Sequence, residues 1–358
     1  MQDQLDSPEN NVLRSRASTQ IAWLGWRQGV TVDQARPLID EALAWARQSD
    51  PRMIPMLLFL EGRILVASGG AADDYVERVK RALGMPGGHD HPGRVATLNA
   101  ALCHALGWAG LLNEALAAST AALERIGEIE LSDQQFLGYS VEHWSTSLRG
   151  RILVRMARFG EAQGCLDRMF AVPDRDLDPT VRFIAHMGSL EIAAAKARMD
   201  VAAEHARRID QIAQHHGSPY LRVFALASRG MAAAVAGDFK GAIAAHGESL
   251  ALLRTSRAAM EYESELLASL AECHLRLDLR GDAREAATQA LAVARKQTAR
   301  LPQCRAYLVL AELAMRSGPI DDLAIASLLS QAEQLIERTG AALYRPQLDA
   351  LRARISAR

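Results

Sequence analysis

The stretch Ala-Gly-Asp-Phe-Lys-Gly-Ala at 236–242 decides the fold. Gly237 is placed to end one helix in the left-handed conformation that glycine adopts without penalty, and a second helix starts at once. Ala242 follows five residues after the glycine, and Ser249-Leu250 stand seven and eight residues beyond it. Ala-Gly-Leu-Leu-Asn-Glu-Ala (109–115) repeats this spacing, down to Ala122-Leu123, and Arg-Gly-Asp-Ala-Arg-Glu-Ala (280–286) repeats its first half. Ala35, Ala42 and Leu43 keep it without the glycine, and weaker versions begin near Gly70, Arg158, Met199 and Pro319. Alanine lets two helices approach closely, while leucine supplies buried area.

A second marker alternates with the first. Pro51, Pro92, Pro179, Pro219, Pro302 and Pro346 fall on a lattice with a step near 41 residues, with prolineless nodes expected around 135 and 260. Proline suits the first turn of a helix, where its missing N–H would be unpaired anyway. The unit is therefore helix A, a tight turn, helix B and a loop. The spacing predicts about eight pairs, with B helices starting near 33, 71, 111, 160, 200, 238, 281 and 321 and a first A helix over Val12–Gln28. A last helix near 341–356, with Arg345, Arg352, Arg354 and Arg358 on a polar face, reads as a solvating cap. The expected architecture is all-α: a right-handed α-solenoid of about eight helix-turn-helix repeats plus a C-terminal capping helix. Residues 1–11 are expected to fray, and 12–358 to form a single domain.

Composition agrees with the pattern. Of 358 residues, 64 are Ala, hydrophobic residues make up 49% and aromatics 5%. That balance excludes an all-β fold, which favours Val, Ile, Thr and aromatics. Length alone suggests two domains at about 150 residues each, but a repeat array overrides that quotient. Only four of the 41 basic residues are Lys, which with the Ala excess resembles the codon bias of a GC-rich bacterial genome. A net charge of -1 gives no support to direct nucleic-acid binding by bulk electrostatics. Cys103, Cys165, Cys273 and Cys304 show no paired spacing, so neither a disulfide framework nor a zinc site is expected. The polar, acidic start is unlike a secretory signal, and the longest apolar run, Met53–Leu60, is too short to span a bilayer. The expected location is the cytoplasm, without membrane association.

The Gly-Asp-Phe-Lys-Gly-Ala-Ile and Gly-Asp-Ala-Arg-Glu-Ala-Ala turns, with the Ala/Ser-Leu pairs that follow, resemble tetratricopeptide-like repeats. Their greater length and Ala-rich texture resemble the sensor repeats of bacterial signal-transduction regulators of the maltose-activator type. The stretch 236–355 carries the likeness most closely. The resemblance implies a non-catalytic interaction and sensor module, binding a protein segment or small effector in a concave groove and biasing assembly of a larger regulator. There is no GxxxxGK[ST] phosphate loop and no basic recognition helix after the last repeat. An excised segment of a larger regulator and a stand-alone peptide-binding adaptor both stay open, as does homo-oligomerisation.

Six residues are candidates for partner binding. Arg182, Arg222 and Arg305 each stand three residues after a node proline, which would set their guanidiniums in a row able to grip carboxylates or phosphates. The competing reading pairs them with acids of a preceding helix, and Glu261, Glu263 and Glu265 would interrupt the row. Tyr139, His143 and Trp144 are expected on the concave surface. Trp23 and Trp26, three apart on one helix, read as packing or as an aromatic groove.

Catalysis and cofactors find little support. His89, Asp90 and His91 lie in a Gly/Pro loop that would hold no metal rigidly, and His215-His216 suit a helix C-terminus. Asp73-Asp74, Asp321-Asp322 and the three glutamates read as turn or helix-start acids. No nucleophile–base arrangement and no metal-ligand signature on facing helices can be named. No catalytic residue, metal or cofactor is expected, and an α-helical enzyme is the least favoured reading.

Overall fold

The computed structural model describes residues 8–316 and 321–357, and among them every regular element is a helix. Eight antiparallel pairs follow in order: α1 (Pro8–Gly25) with α2 (Val32–Ser49), α3 (Ile54–Ala67) with α4 (Ala72–Leu83), and α5 (Pro92–Ala109) with α6 (Leu112–Leu123). A short α7 (Leu131–Leu137) precedes α8 (Val141–Arg155) with α9 (Phe159–Phe170) and α10 (Pro179–Ala195) with α11 (Met199–His216). Then come α12 (Pro219–Val235) with α13 (Phe239–Ser256), α14 (Glu263–Arg276) with α15 (Arg280–Lys296), α16 (Arg300–Arg316) with α17 (Asp322–Thr339), and the capping α18 (Arg345–Ser356). Every B helix begins within one residue of the position that the spacing predicts. The protein is a right-handed α-solenoid of eight repeats.

Left-handed backbone marks the turn inside each of the first seven pairs: Gly29, Gly69, Gly110, Ala157, Ala197, Gly237 and Asp278 all have positive φ. Successive steps are 40 or 41 residues, apart from 47 between Gly110 and Ala157, where α7 is inserted. One sequence assignment is corrected here. Gly281 lies within the first turn of α15, and Asp278, a residue type that tolerates this conformation, ends α14 instead. The turn expected near Pro319 lies outside the described residues. α1 starts at Pro8, ahead of the expected Val12, with proline in the first turn where it costs no hydrogen bond. Residues 1–7 of the segment expected to fray lie outside the described residues.

Alanine makes the pairs close. The buried face of α15 is Ala283, Ala286, Ala287, Ala290 and Ala294, and that of α2 is Ala35, Ile39, Ala42 and Ala46. Faces this small bring helix axes to the short end of the range, about 8 Å. A larger side chain there would overpack the seam by about 1–3 kcal/mol. All four cysteines are buried and unpaired, as fillers of the same core.

The superhelix closes on itself, which its period does not foretell. The turns at Gly29, Gly69 and Gly110 pack against Ser256, Met260 and Arg300-Leu301, so the first three repeats sit on the last three. Ala72 N donates to Gln297 O at 2.8 Å, and Asp73 N to Thr298 Oγ1 at 2.9 Å. Arg300 donates from Nη1 and Nη2 to the two carboxylate oxygens of Asp73, at 2.8 and 2.9 Å. Inside this closure an aromatic core joins the two turns. Trp23 meets Phe59, Phe59 meets Trp144, Trp26 meets Tyr220, and Trp108 and Phe224 both meet Tyr262.

Candidate functional site

Beyond the aromatic core the interior opens into a cavity of about 640 Å³. Its walls are inner flanks of α8, α10, α12, α14 and α16 with Phe239 and His246 of α13, and the segment from Leu343 to Arg354 crosses in front of them. The cap therefore does more than solvate an end. Leu348 and Leu351 are buried against α16 and α17, and Arg352 grips Glu333 with two hydrogen bonds of 2.5 Å. Tyr344, Gln347 and Ala350 face the cavity from the same segment.

A ladder of alternating charge runs along the inner wall. Residues four or seven apart share a helix face, so Arg151 and Arg155 align on α8, and Glu265, Ser269 and Glu272 on α14. Arg151 reaches Glu191 of α10 at 2.8 Å. Arg155 stands between Glu191 and Glu265, at 3.5 and 3.9 Å. Arg305 of α16 donates to Glu265 at 2.6 Å, to Ser269 Oγ at 2.9 Å, and through Nε and Nη2 to both oxygens of Glu272 at 2.8 Å. Glu312, at the rim, accepts from Arg316 at 2.6 Å and Arg354 at 3.2 Å.

Burial and the ladder together set the protonation of the groups around the cavity. Burial pushes the Glu191 carboxyl up, but Arg151 and Arg155 outweigh it and hold it below the usual carboxylate range. Burial works against the Arg305 charge, while Glu272 and Glu265 overcome it and raise the guanidinium well above its ordinary value. Burial, aided by Arg305, pushes the His246 imidazole down to about 4, so it is neutral at pH 7. Burial lifts the Tyr262 hydroxyl to about 12. Three arginines and three glutamates in register leave a charged yet balanced surface, suited to binding through hydrogen bonds. Among the described residues no group of three or more His, Cys, Asp or Glu could hold a metal ion.

The six candidate residues are scattered. Arg182 and Arg222 are the fourth residues of α10 and α12, but Arg305 is the sixth of α16, because Pro302 is the third residue there. Two residues turn a helix by about 200°, so Arg305 points into the cavity and no row forms. Arg182 lies 3.3 Å from Asp174, and Arg222 is exposed. Trp144 is buried at 3% exposure, ringed by Phe59, His104 and Tyr139, and is not on a concave surface. Tyr139 is half-buried in the same cluster, and His143 donates its backbone N–H to the capping Ser140. Trp23 and Trp26 are core. His89 and Asp90 are tied into their own loop through Met85 O and Gly87 N.

Sequence reading missed Arg151, Arg155, Glu191, Glu265 and Glu272 as one group. The available signal was charge at helical spacing within mostly buried A helices, at Arg151 and Arg155 of α8 and at Glu265 and Glu272 of α14.

No family model matches the chain, and no curated protein matches it. Among solved structures, a Rap protein complexed with Competence and Sporulation Factor is similar over 98% of this chain and 99% of that one, with a TM-score of 0.57 at 12% identity. The chain folds as a tetratricopeptide-like solenoid. A signal-transduction ATPase with a tetratricopeptide repeat sensor from Pyrococcus horikoshii is also similar, with a TM-score of 0.49 at 13% identity, over 87% of this chain and 49% of that one. No helix among the described residues is long and apolar enough to cross a membrane.

Proposed function

We propose that the protein is a non-catalytic binding module whose cavity receives a peptide segment or a small effector. The observation that carries this is the space of about 640 Å³ walled by five A helices, two residues of α13 and the cap, with a balanced charge ladder on one side and Tyr262 and Tyr344 on others. Sites for small molecules and short segments have this size and this mixture of apolar wall and few placed polar groups. The Rap protein of the same fold was solved in complex with Competence and Sporulation Factor, which supports a binding role for this fold. In this reading residues 12–358 act as one unit, in keeping with one hydrophobic cluster that extends from Ala22 to Ala341 and a second, over α16 to α18, joined to it through Leu291 and Tyr344. The module serves as the regulatory part of a bacterial signal-transduction or transcriptional regulator, of the maltose-activator type, in the cytoplasm.

Native mass spectrometry of the purified chain, after mixing with a pooled peptide library, tests the reading. The expected result is a one-to-one complex with a subset of peptides. Binding that survives Ala234→Trp, which puts a bulky indole into the cavity wall, would place the ligand elsewhere and overturn it.

A further inference from the structure

The last residues of five successive A helices are Arg155, Ala195, Val235, Arg276 and Arg316, at steps of 40 or 41 residues. Equivalent positions in stacked repeats lie side by side, so the series forms one edge of the interior. The first four line the cavity, and Arg316 grips Glu312 at its rim. The middle of this edge is apolar: Ala195 and Val235 stand there with Ala194, Met231, Ala234 and Phe239. On the next repeat the edge turns cationic at Arg276.

Arg276 is the charged wall residue that has no ion-pair partner among the described residues. Arg155 stands between Glu191 and Glu265, Arg305 holds Glu265 and Glu272, and Arg316 and Arg354 share Glu312. Capping of α14 does not employ Arg276 either. The carbonyls of Cys273, His274 and Leu275 accept backbone N–H groups of Leu277, Leu279 and Asp278, and Leu275 O also accepts from Arg316. Arg276 is exposed, and its guanidinium donors are free for a ligand. The ladder deeper in the cavity is balanced, so this end of the wall carries the unmatched positive charge.

We propose that the cavity takes a peptide with one carboxylate beside an apolar stretch, the apolar side chains resting on Ala195, Met231, Ala234 and Val235 and the carboxylate pairing with Arg276 one repeat further on. The inference rests on the cavity being the binding site, and it names the charge of the ligand and the order of its groups. A carboxylate supplies the single negative charge that Arg276 lacks. A phosphate dianion would bring a second one close to Glu272, four residues back on the same face of α14.

Ligand-observed NMR titration of three peptides into the full chain tests it: N-acetyl-Leu-Leu-Ala-Glu amide, N-acetyl-Leu-Leu-Ala-Gln amide, and N-acetyl-Leu-Leu-Ala-Gln with a free carboxyl terminus. The neutral peptide is expected to bind about fivefold more weakly than at least one acidic peptide, and which acidic peptide wins tells a side-chain carboxylate from a terminal one. Arg276→Gln should erase that preference, and Arg276→Lys should keep part of it. Equal or tighter binding of the neutral peptide, binding by none of the three at millimolar concentration, or a preference that survives Arg276→Gln would each overturn the inference. Library peptides lost on Ala234→Trp but indifferent to Arg276→Gln would sink it and leave the cavity reading standing. Library peptides indifferent to Ala234→Trp would sink both.

Discussion

The guanidinium of Arg63 and the carboxylate of Glu261, 198 residues apart in the chain, meet at 2.9 Å where the first turn of the superhelix lies on the second. Both are fully buried, and Arg63 stacks 3.9 Å from the Trp26 ring centroid. Arg63 Nη1 and Glu261 Oε2 have no hydrogen-bond partner among the described residues, so the pair is only half satisfied. Such a pair specifies the closure more than it stabilises it. Glu261→Ala, which strands the Arg63 charge, is expected to cost about 3–5 kcal/mol. Arg63→Met with Glu261→Leu should cost clearly less than the single change. Urea denaturation of the three proteins reads this, and an additive double variant would contradict it.

Ala157 and Ala197 occupy left-handed turns with φ of 58° and 51°. An alanine there carries a steric cost of about 1–2 kcal/mol that glycine avoids, partly offset by glycine's greater freedom in the unfolded chain. Ala157→Gly and Ala197→Gly should each stabilise the protein by about 0.5–1 kcal/mol, visible as a raised melting temperature. Gly237→Ala should do the reverse.

Gly29 combines a φ of +88° with contact across the seam: a Cβ there would lie 1.9 Å from the Ser256 carbonyl oxygen. Backbone cannot give way as a flexible side chain does. Gly29→Ala is therefore expected to loosen the contact between turns, with faster hydrogen exchange at Ala72 and Asp73, whose N–H groups bond across it. Unchanged exchange at both amides would argue against closure in solution.

His246 supplies a pH dependence. Its folded pKa, about 4, lies below its ordinary value of 6.5, chiefly because burial disfavours the cation. The unfolded chain therefore takes up the proton first. Stability from the neutral ring is complete above pH 6.5 and is lost as pH falls towards 4, by about 3 kcal/mol in all. His246→Gln should remove that part of the slope in denaturation curves measured across this window.

The sequence legibility of this fold rests on local chemistry. Glycine at a left-handed turn, proline in a first turn and alanine on a packing face each act within a few residues, so B-helix starts could be placed closely. Arg305 shows the limit: a proline two residues deeper in α16 than in α12 turns its side chain to the other face. The contacts of Arg63 with Glu261, and of Asp73 with Arg300, span most of the chain and follow no period. The Arg155 rung depends on that closure and could not be assembled from spacing alone.

Isothermal titration of a library-selected peptide into the wild-type chain and into Ala234→Trp tests the central claim most directly. The cavity account expects saturable one-to-one binding to the wild type and loss of at least about tenfold in affinity for the variant, with its melting temperature preserved. Equal affinity for the two proteins would contradict it.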